Sequence, residues 1–293
     1  MLEYPLVSVV IATYNMGQYV TQAVDSILGQ EYPFVEAIVV DDGSTDNTLE
    51  ALSRYNDRDR VKIIHQNNAG QAAAKNRGLL EAGGKYIGFC DADNLWLPHK
   101  LKRQLPLFKD FNDQAVIYGD GMLIDADGKN LPNRQIERHS GWITGLLLID
   151  NFVSFNTALV PKQIIDHVGG FDESFSMGID YDLWLRISVN YPFFYLPEQL
   201  IKYRIWGGQM STKMDERFAN CFRIVNNFLK NHQGSVTKLE VRRGWAHTYV
   251  SRANWRAAQK EYQKALQDYI RAFTYKPNDL RLWKSIVKFM LGR

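Results

Sequence analysis

The sequence predicts an α/β protein: a mixed, mostly parallel β-sheet flanked by helices, followed by a small all-α extension. Two observations carry the first part. Five short apolar runs rich in β-branched residues (7–12, 35–40, 61–65, 86–90 and 115–118) read as strands buried on both faces. Between them lie helical patterns at 18–28, 45–55, 71–81 and 99–108, and such alternation leads to parallel strands joined by crossover helices. A third observation marks the extension. From Asp215 the pattern is helical throughout, and from Lys213 to the end 17 Lys+Arg face 6 Asp+Glu, a balance of +11 inside a chain of net charge +3. The preceding 212 residues carry a balance of −8. The chain therefore divides into an α/β domain at 1–212 and a basic helical extension at 213–293.

Composition narrows the class. With 45% hydrophobic and 23% charged residues, the 293-residue chain is ordinary globular protein. Two cysteines, Cys90 and Cys221, are too few and too distant for a disulfide framework or a zinc site. A reducing, cytoplasmic setting is expected. The apolar run beginning at Leu6 is short for a signal-peptide core, and no stretch approaches the ~18 apolar residues a spanning helix needs.

The expected strands end in polar clusters. Strand one runs into Ala12-Thr13-Tyr14-Asn15, strand two into Asp41-Asp42-Gly43-Ser44, strand three into Asn67-Asn68-Ala69-Gly70 and strand four into Asp91-Ala92-Asp93-Asn94. Ligands of open α/β sheets bind beyond the carboxyl ends of the strands, so these four clusters define one candidate site. Further on, Asp125-Ala126-Asp127-Gly128 reads as a hairpin turn, 130–176 is weakly patterned, and 180–189 is helical again.

Asp91 and Asp93 stand two apart, and in extended geometry their side chains share a face. Paired carboxylates suit Mg²⁺ or Mn²⁺, ions that complete their shell with substrate phosphates, although an isolated Asp-x-Asp is more often a polar strand exit. In Asp41-Asp42-Gly43-Ser44-Thr45-Asp46, Gly43 permits a tight turn and Ser44 or Thr45 can cap the next helix. Neither role explains two adjacent carboxylates, one of which could accept a hydrogen bond from a nucleotide base.

These segments, with Ser8-Val9-Val10-Ile11, Ala74-Lys75-Asn76-Arg77-Gly78, Gly169-Gly170-Phe171-Asp172-Glu173 and Asp180-Tyr181-Asp182-Leu183-Trp184-Leu185-Arg186, resemble in order and spacing the signatures of family 2 glycosyltransferases from about Pro5 to Ser211. The resemblance implies a GT-A (Rossmann-like) fold and an inverting, metal-dependent sugar transfer from a nucleotide-sugar, UDP-sugar favoured, to a glycan or lipid-linked acceptor in cell-surface polysaccharide synthesis. It implies Asp180 as general base and Asp42, Ala12 and Thr13 as base and ribose contacts. Tyr14, Asn68 and Lys75 fall in with them as nucleotide contacts. It further implies Asp93 as principal metal ligand, with Asp91 nearer the ribose and also on the metal, and Mn²⁺ or Mg²⁺ as cofactor. Three positions depart from the family pattern: Ile179 precedes the base, Lys75 replaces a frequent Arg, and Trp206 stands where a His ligand is common, leaving Arg204 or water on the phosphate side. The pattern of processive synthases is absent after Asp180, which favours single additions. Trp184 shares the face of Asp180 and serves either as an acceptor platform or as a core residue.

In the extension, Tyr249, Ala253, Tyr262, Ala265, Tyr269, Ala272 and Pro277 resemble one tetratricopeptide-type helix pair. In the last helix Leu282, Ile286, Val287 and Met290 share one side and Arg281, Lys284 and Lys288 the other. This helix either lies peripherally on an anionic membrane or shows its basic side to solvent. No nucleic-acid motif accompanies the charge. Two other classes compete: a nucleotidyltransferase, which lacks its Gly-rich basic loop at Thr13-Tyr14-Asn15-Met16-Gly17, and a non-catalytic nucleotide-sugar-binding or scaffold protein acting through the tail.

Overall fold

A computed structural model describes residues 5–133, 136–209 and 213–290. Ser211, where the resemblance ends, lies outside the described residues. The chain forms two compact units. The first comprises Met1–Trp142 and Val153–Asn220, the second Ile143–Phe152 and Cys221–Arg293.

The first unit opens with β1 (Val7–Thr13), α1 (Val20–Leu28), β2 (Val35–Asp41), α2 (Thr48–Leu52, extended by a 3-10 turn), β3 (Val61–His65), α3 (Gln71–Leu80) and β4 (Tyr86–Phe89). Next come β5 (Leu95–Trp96), α4 (Lys100–Gln104) and β6 (Val116–Ile124). After α5 (Thr144–Leu147), which belongs to the second unit, follow β7 (Leu159–Pro161), α6 (Lys162–Val168), α7 (Ile179–Ser188) and β8 (Phe193–Arg204). The strands make one sheet in the order β3-β2-β1-β4-β7-β6-β8-β5. β3, β2, β1 and β4 are mutually parallel; β7 runs antiparallel to β4 and β6, and β8 parallel to β6. The expected mixed, mostly parallel sheet is thus present.

Burial explains which strands were readable. Val7, Val9 and Ile11 of β1 and Val35, Ala37 and Val39 of β2 pack with Val20, Ala23, Val24 and Ile27 of α1, while Val10, Ile38 and Val40 are equally buried on the opposite face. Continuous apolar runs are what two covered faces require. The helix expected over 99–108 stops at Gln104 and continues as a 3-10 turn. Pro106 has no N–H to give the carbonyl four residues back. The turn at Asp125–Gly128 forms, with Gly128 N donating to Asp125 O. It closes on a single bridge, Ile124 to Asn130, while β6 takes β8 as its long partner.

In the second unit α8 (Met214–Asn231, whose first residues lie in the first unit) is followed by α9 (Lys238–Ala258), α10 (Tyr262–Tyr275) and α11 (Leu280–Met290). Thr237 and Glu240 cap α9 reciprocally, side chain to backbone N–H in both directions. Gly244 lets α5 approach α9, since a Cβ there would stand 2.7 Å from Leu148 O. Arg252 and Arg256 of α9 both pair with buried Asp268 of α10, and Ala253, Ala265, Tyr269, Ala272 and Leu282 form the small core. The expected apolar side of α11 is divided. Leu282 is buried and Ile286 packs against this core with Phe289, whereas Leu280, Trp283, Val287 and Met290 are exposed. Among the described residues no helix is long and apolar enough to cross a membrane.

Candidate active site at the carboxyl ends of the strands

The loops after β1 and β2 hold each other. Asn15, at φ 54°, accepts at Oδ1 from Thr45 N at 2.8 Å and gives its own N–H to Ser44 Oγ. Gly17 N donates to Asp46 Oδ2 and Met16 N to Thr48 Oγ1. Ser44 and Thr45 therefore tie two loops together and do not cap α2, whose cap position is Asn47. Gly43 is required twice over: its φ is 76°, and a Cβ would meet Asn68 N at 2.8 Å.

The two adjacent carboxylates separate by face. Asp41 is fully buried, with Oδ2 against His65 Nδ1 at 2.7 Å and Oδ1 without a partner among the described residues. Asp42 is 3% exposed and organises the loop after β3: Oδ1 accepts from Gln66 Nε2 and Ala69 N, and Oδ2 from Gly70 N at 2.8 Å. Asn68 Nδ2 donates to Asp42 O. A carboxylate has about four acceptor sites, and these three bonds fill three of them. Ala12 is half-buried, Tyr14 is exposed, and Thr13 is buried with its hydroxyl unpartnered among the described residues. By strand alternation Thr13 follows Val9 and Ile11 to the α1 side.

Asp91-Ala92-Asp93-Asn94 is a turn, not the extended exit that spacing implied, and Asn94 N donates to Asp91 O. Asp91 is held from both sides. Lys75 Nζ of α3 reaches Oδ1 at 3.0 Å while lying over the Phe155 ring, and Asn156 Nδ2 reaches Oδ2 at 2.9 Å. Asp93 is 8% exposed; its Oδ2 accepts from Trp206 Nε1 at 2.8 Å and Gln209 Nε2 at 3.4 Å. Burial first, and then the charge of Asp91, raise the Asp93 carboxyl above the usual carboxylate range, partly opposed by those two N–H groups. Arg204, expected on the phosphate side, is 2% exposed. Its guanidinium donates to Asp93 O, Ala126 O and Gln22 Oε1 and lies over Tyr19, and its backbone N–H donates to Asn94 Oδ1. It braces the turn from behind.

Asp180 is the second residue of α7 and is half-buried; Gly178, in the left-handed region, starts the helix, and Ile179 before Asp180 is buried. The approach to α7 is fixed by α3. Gln71 Nε2 donates to Ser176 O, and Asn76 exchanges bonds with Phe171 N and O. Arg186 pairs with Asp182 and donates to the carbonyls of Val168, Gly169 and Gly170. The later signature residues thus act largely as scaffolding. Trp184, at 0% exposure among Phe155 and Phe193, is a core residue and cannot serve as an acceptor platform.

One helix, α3, therefore connects the loop held by Asp42, the Asp91 turn and the arm leading to Asp180. The residues that sequence reasoning missed are three bracing ones, Gln22, Asn156 and Gln209, whose partners are mostly remote in sequence. Among the described residues no group of three or more His, Cys, Asp or Glu side chains is gathered as a metal site. The Asp91–Asp93 pair nonetheless fits Mg²⁺ or Mn²⁺. Two hard carboxylates repel each other at a buried turn, Asp93 Oδ1 takes no protein hydrogen bond among the described residues, and such ions draw remaining ligands from phosphate and water.

Comparison with known proteins accords with this geometry. The chain is 31% identical over 268 residues to an uncharacterized glycosyltransferase of Rickettsia bellii, spanning 89% of this chain and 38% of that protein's length. It is 31% identical over 234 residues to a chondroitin synthase of Escherichia coli, spanning 77% of this chain and 33% of that protein. The chain thus covers well under half the length of either. The crystal structure of S. aureus TarS 1-349 in complex with UDP-GlcNAc shares the fold, with a TM-score of 0.72 at 19% identity over 98% of this chain and 89% of that one. Residues 8–158 match the sequence pattern of glycosyl transferase family 2, and the chain belongs to that family.

Proposed function

We propose that this chain is an inverting glycosyltransferase that moves a sugar from a nucleoside diphosphate donor, UDP-sugar favoured, to a hydroxyl of a glycan or lipid-linked acceptor in polysaccharide synthesis. The observation that carries the reading is the convergence of Asp42, Asp91, Asp93 and the Asp180 arm on α3 at the carboxyl ends of β1–β4. Ala12, Tyr14, Asn68 and the remaining acceptor site of Asp42 would receive the nucleoside, with Lys75 and Asp91 beside the ribose and diphosphate. Asp93 and Asp91 would hold Mg²⁺ or Mn²⁺, which when bound supplies positive charge to the departing diphosphate. The Asp180 carboxylate takes the proton of the acceptor hydroxyl as its oxygen attacks the anomeric carbon. The bond from that carbon to the diphosphate oxygen breaks on the opposite side and its electron pair leaves with the nucleotide, so configuration inverts.

Replacing Asp180 by Asn keeps the shape of the site and removes the base. Turnover should fall by about 10²–10⁴-fold while calorimetric donor affinity stays within twofold. Unchanged turnover would remove Asp180 from the mechanism.

In the second unit the α9–α10 hairpin supports a single tetratricopeptide-like pair. The exposed stripe Leu280, Trp283, Val287 and Met290 of α11 is flanked by exposed Arg281, Lys284 and Lys288. That pairing of apolar and basic stripes supports peripheral contact with anionic lipid on the cytoplasmic side.

A further inference from the structure

The 3-10 turn Phe155–Thr157 lies outside every segment that carries the resemblance, yet it touches the acidic turn at two atoms. Asn156 Oδ1 accepts the backbone N–H of Asp91 at 2.6 Å, and Asn156 Nδ2 donates to the Asp91 carboxylate at 2.9 Å. One side chain thereby fixes both the main chain and the acid of the same residue. Asn156 is 2% exposed, so its amide is shielded from bulk water while the Asp91 side chain remains 36% exposed. The turn is itself anchored. Thr157 O accepts from Lys100 Nζ and Gln104 Nε2, both at 2.9 Å, and Thr157 Oγ1 donates to Gly119 O. On its other side Phe155 stacks on Phe89 at 4.7 Å and lies beneath Lys75.

We infer that Asn156 is the positioning residue of the donor site, holding Asp91 in the orientation in which it meets the ribose and cation while Lys75 balances its charge. The inference rests on the donor-binding reading given above. An asparagine is suited to this task because it carries an acceptor and a donor on the same carbon. Aspartate would keep the first bond and place a second carboxylate against Asp91; leucine, of similar volume, would keep neither. Partners that orient a metal-ligating carboxylate typically matter 10- to 100-fold in affinity.

The test is a double-mutant cycle read by calorimetry of UDP binding in the presence of Mn²⁺, on the full chain. Wild type, Asn156→Leu, Asp91→Ala and the double variant are compared, with Asn156→Asp as a second single variant and melting curves as a check on folding. Asn156→Leu and Asn156→Asp should each weaken UDP binding about 10- to 100-fold, and Asn156→Leu should add no further loss in the Asp91→Ala background. A residue of merely structural importance would give additive losses, and that outcome overturns the inference. So does wild-type affinity in a folded Asn156→Leu. Wild-type protein that binds none of UDP, GDP or dTDP, with or without Mn²⁺, would overturn the donor-site reading and this inference with it.

Discussion

Asp93 combines a buried, disfavoured charge with the metal-ligand role proposed for it. Its carboxyl is raised by burial and by Asp91, which means that the folded state disfavours the ionised form more than the unfolded chain does. The sign follows directly: as pH rises from the ordinary carboxylate range through the raised value, the unfolded state releases its proton first and stability falls. At neutral pH the charged form is a burden that a bound cation would relieve. Asp93→Asn keeps an acceptor for Trp206 Nε1 and removes the charge. It should therefore gain about 0.5–2 kcal/mol in denaturant melts without added metal, and lose Mn²⁺-dependent UDP binding in calorimetry. A destabilised Asp93→Asn that still binds UDP with Mn²⁺ would contradict both halves of this account.

At the scale of elements, α4 connects buried chemistry to the site. Lys100 is fully buried, with Nζ on Gln104 Oε1 and Thr157 O and 4.1 Å from the centre of the Trp96 ring. Burial lowers its pKa to about 7, opposed by the nearby Cys90. Between about pH 7 and the ordinary lysine range the unfolded chain holds a proton that the folded one has released, so this group makes stability rise with pH there. The difference in urea stability between wild type and Lys100→Met should narrow or reverse from pH 6.5 to pH 9.5 in favour of wild type; a difference independent of pH would show that Lys100 does not titrate in this window. The same element shows what a sequence can reveal. β1, β2 and β4 were readable because two covered faces demand unbroken apolar runs, and Asp42, Asp91 and Asp93 because they follow those strands. β8 was not, since its exposure varies along the strand and its register with β6 shifts on either side of Asp120. The braces Asn156–Asp91 and Gln22–Arg204 span 65 and 182 residues, and no local pattern encodes a contact of that separation.

For the whole molecule the sequence-level fact is the division of charge, −8 before Lys213 and +11 after it. Net charge speaks to partners and not to fold, so the structure must say where positive charge meets something able to bind. Arg252 and Arg256 are already neutralised by Asp268, and Lys276 by Asp279. On α11, Arg281, Lys284 and Lys288 make no ion pair among the described residues, and they border the stripe headed by Leu280 and Met290 at 75% and 78% exposure. A basic residue near an anionic surface contributes about 1 kcal/mol. Lys284→Glu with Lys288→Glu should then lower partition into phosphatidylserine vesicles by more than about tenfold, and Trp283→Ser should lower it through the apolar term alone. Co-sedimentation should weaken sharply between 0.05 and 0.5 M salt, as screening of exposed charge over about 4–14 Å requires, and vanish on phosphatidylcholine. Both variants leave the first unit untouched, so calorimetric UDP binding must survive in each. Vesicle binding that ignores salt, lipid charge and both substitutions would exclude α11 as the contact and leave its apolar stripe to a protein partner.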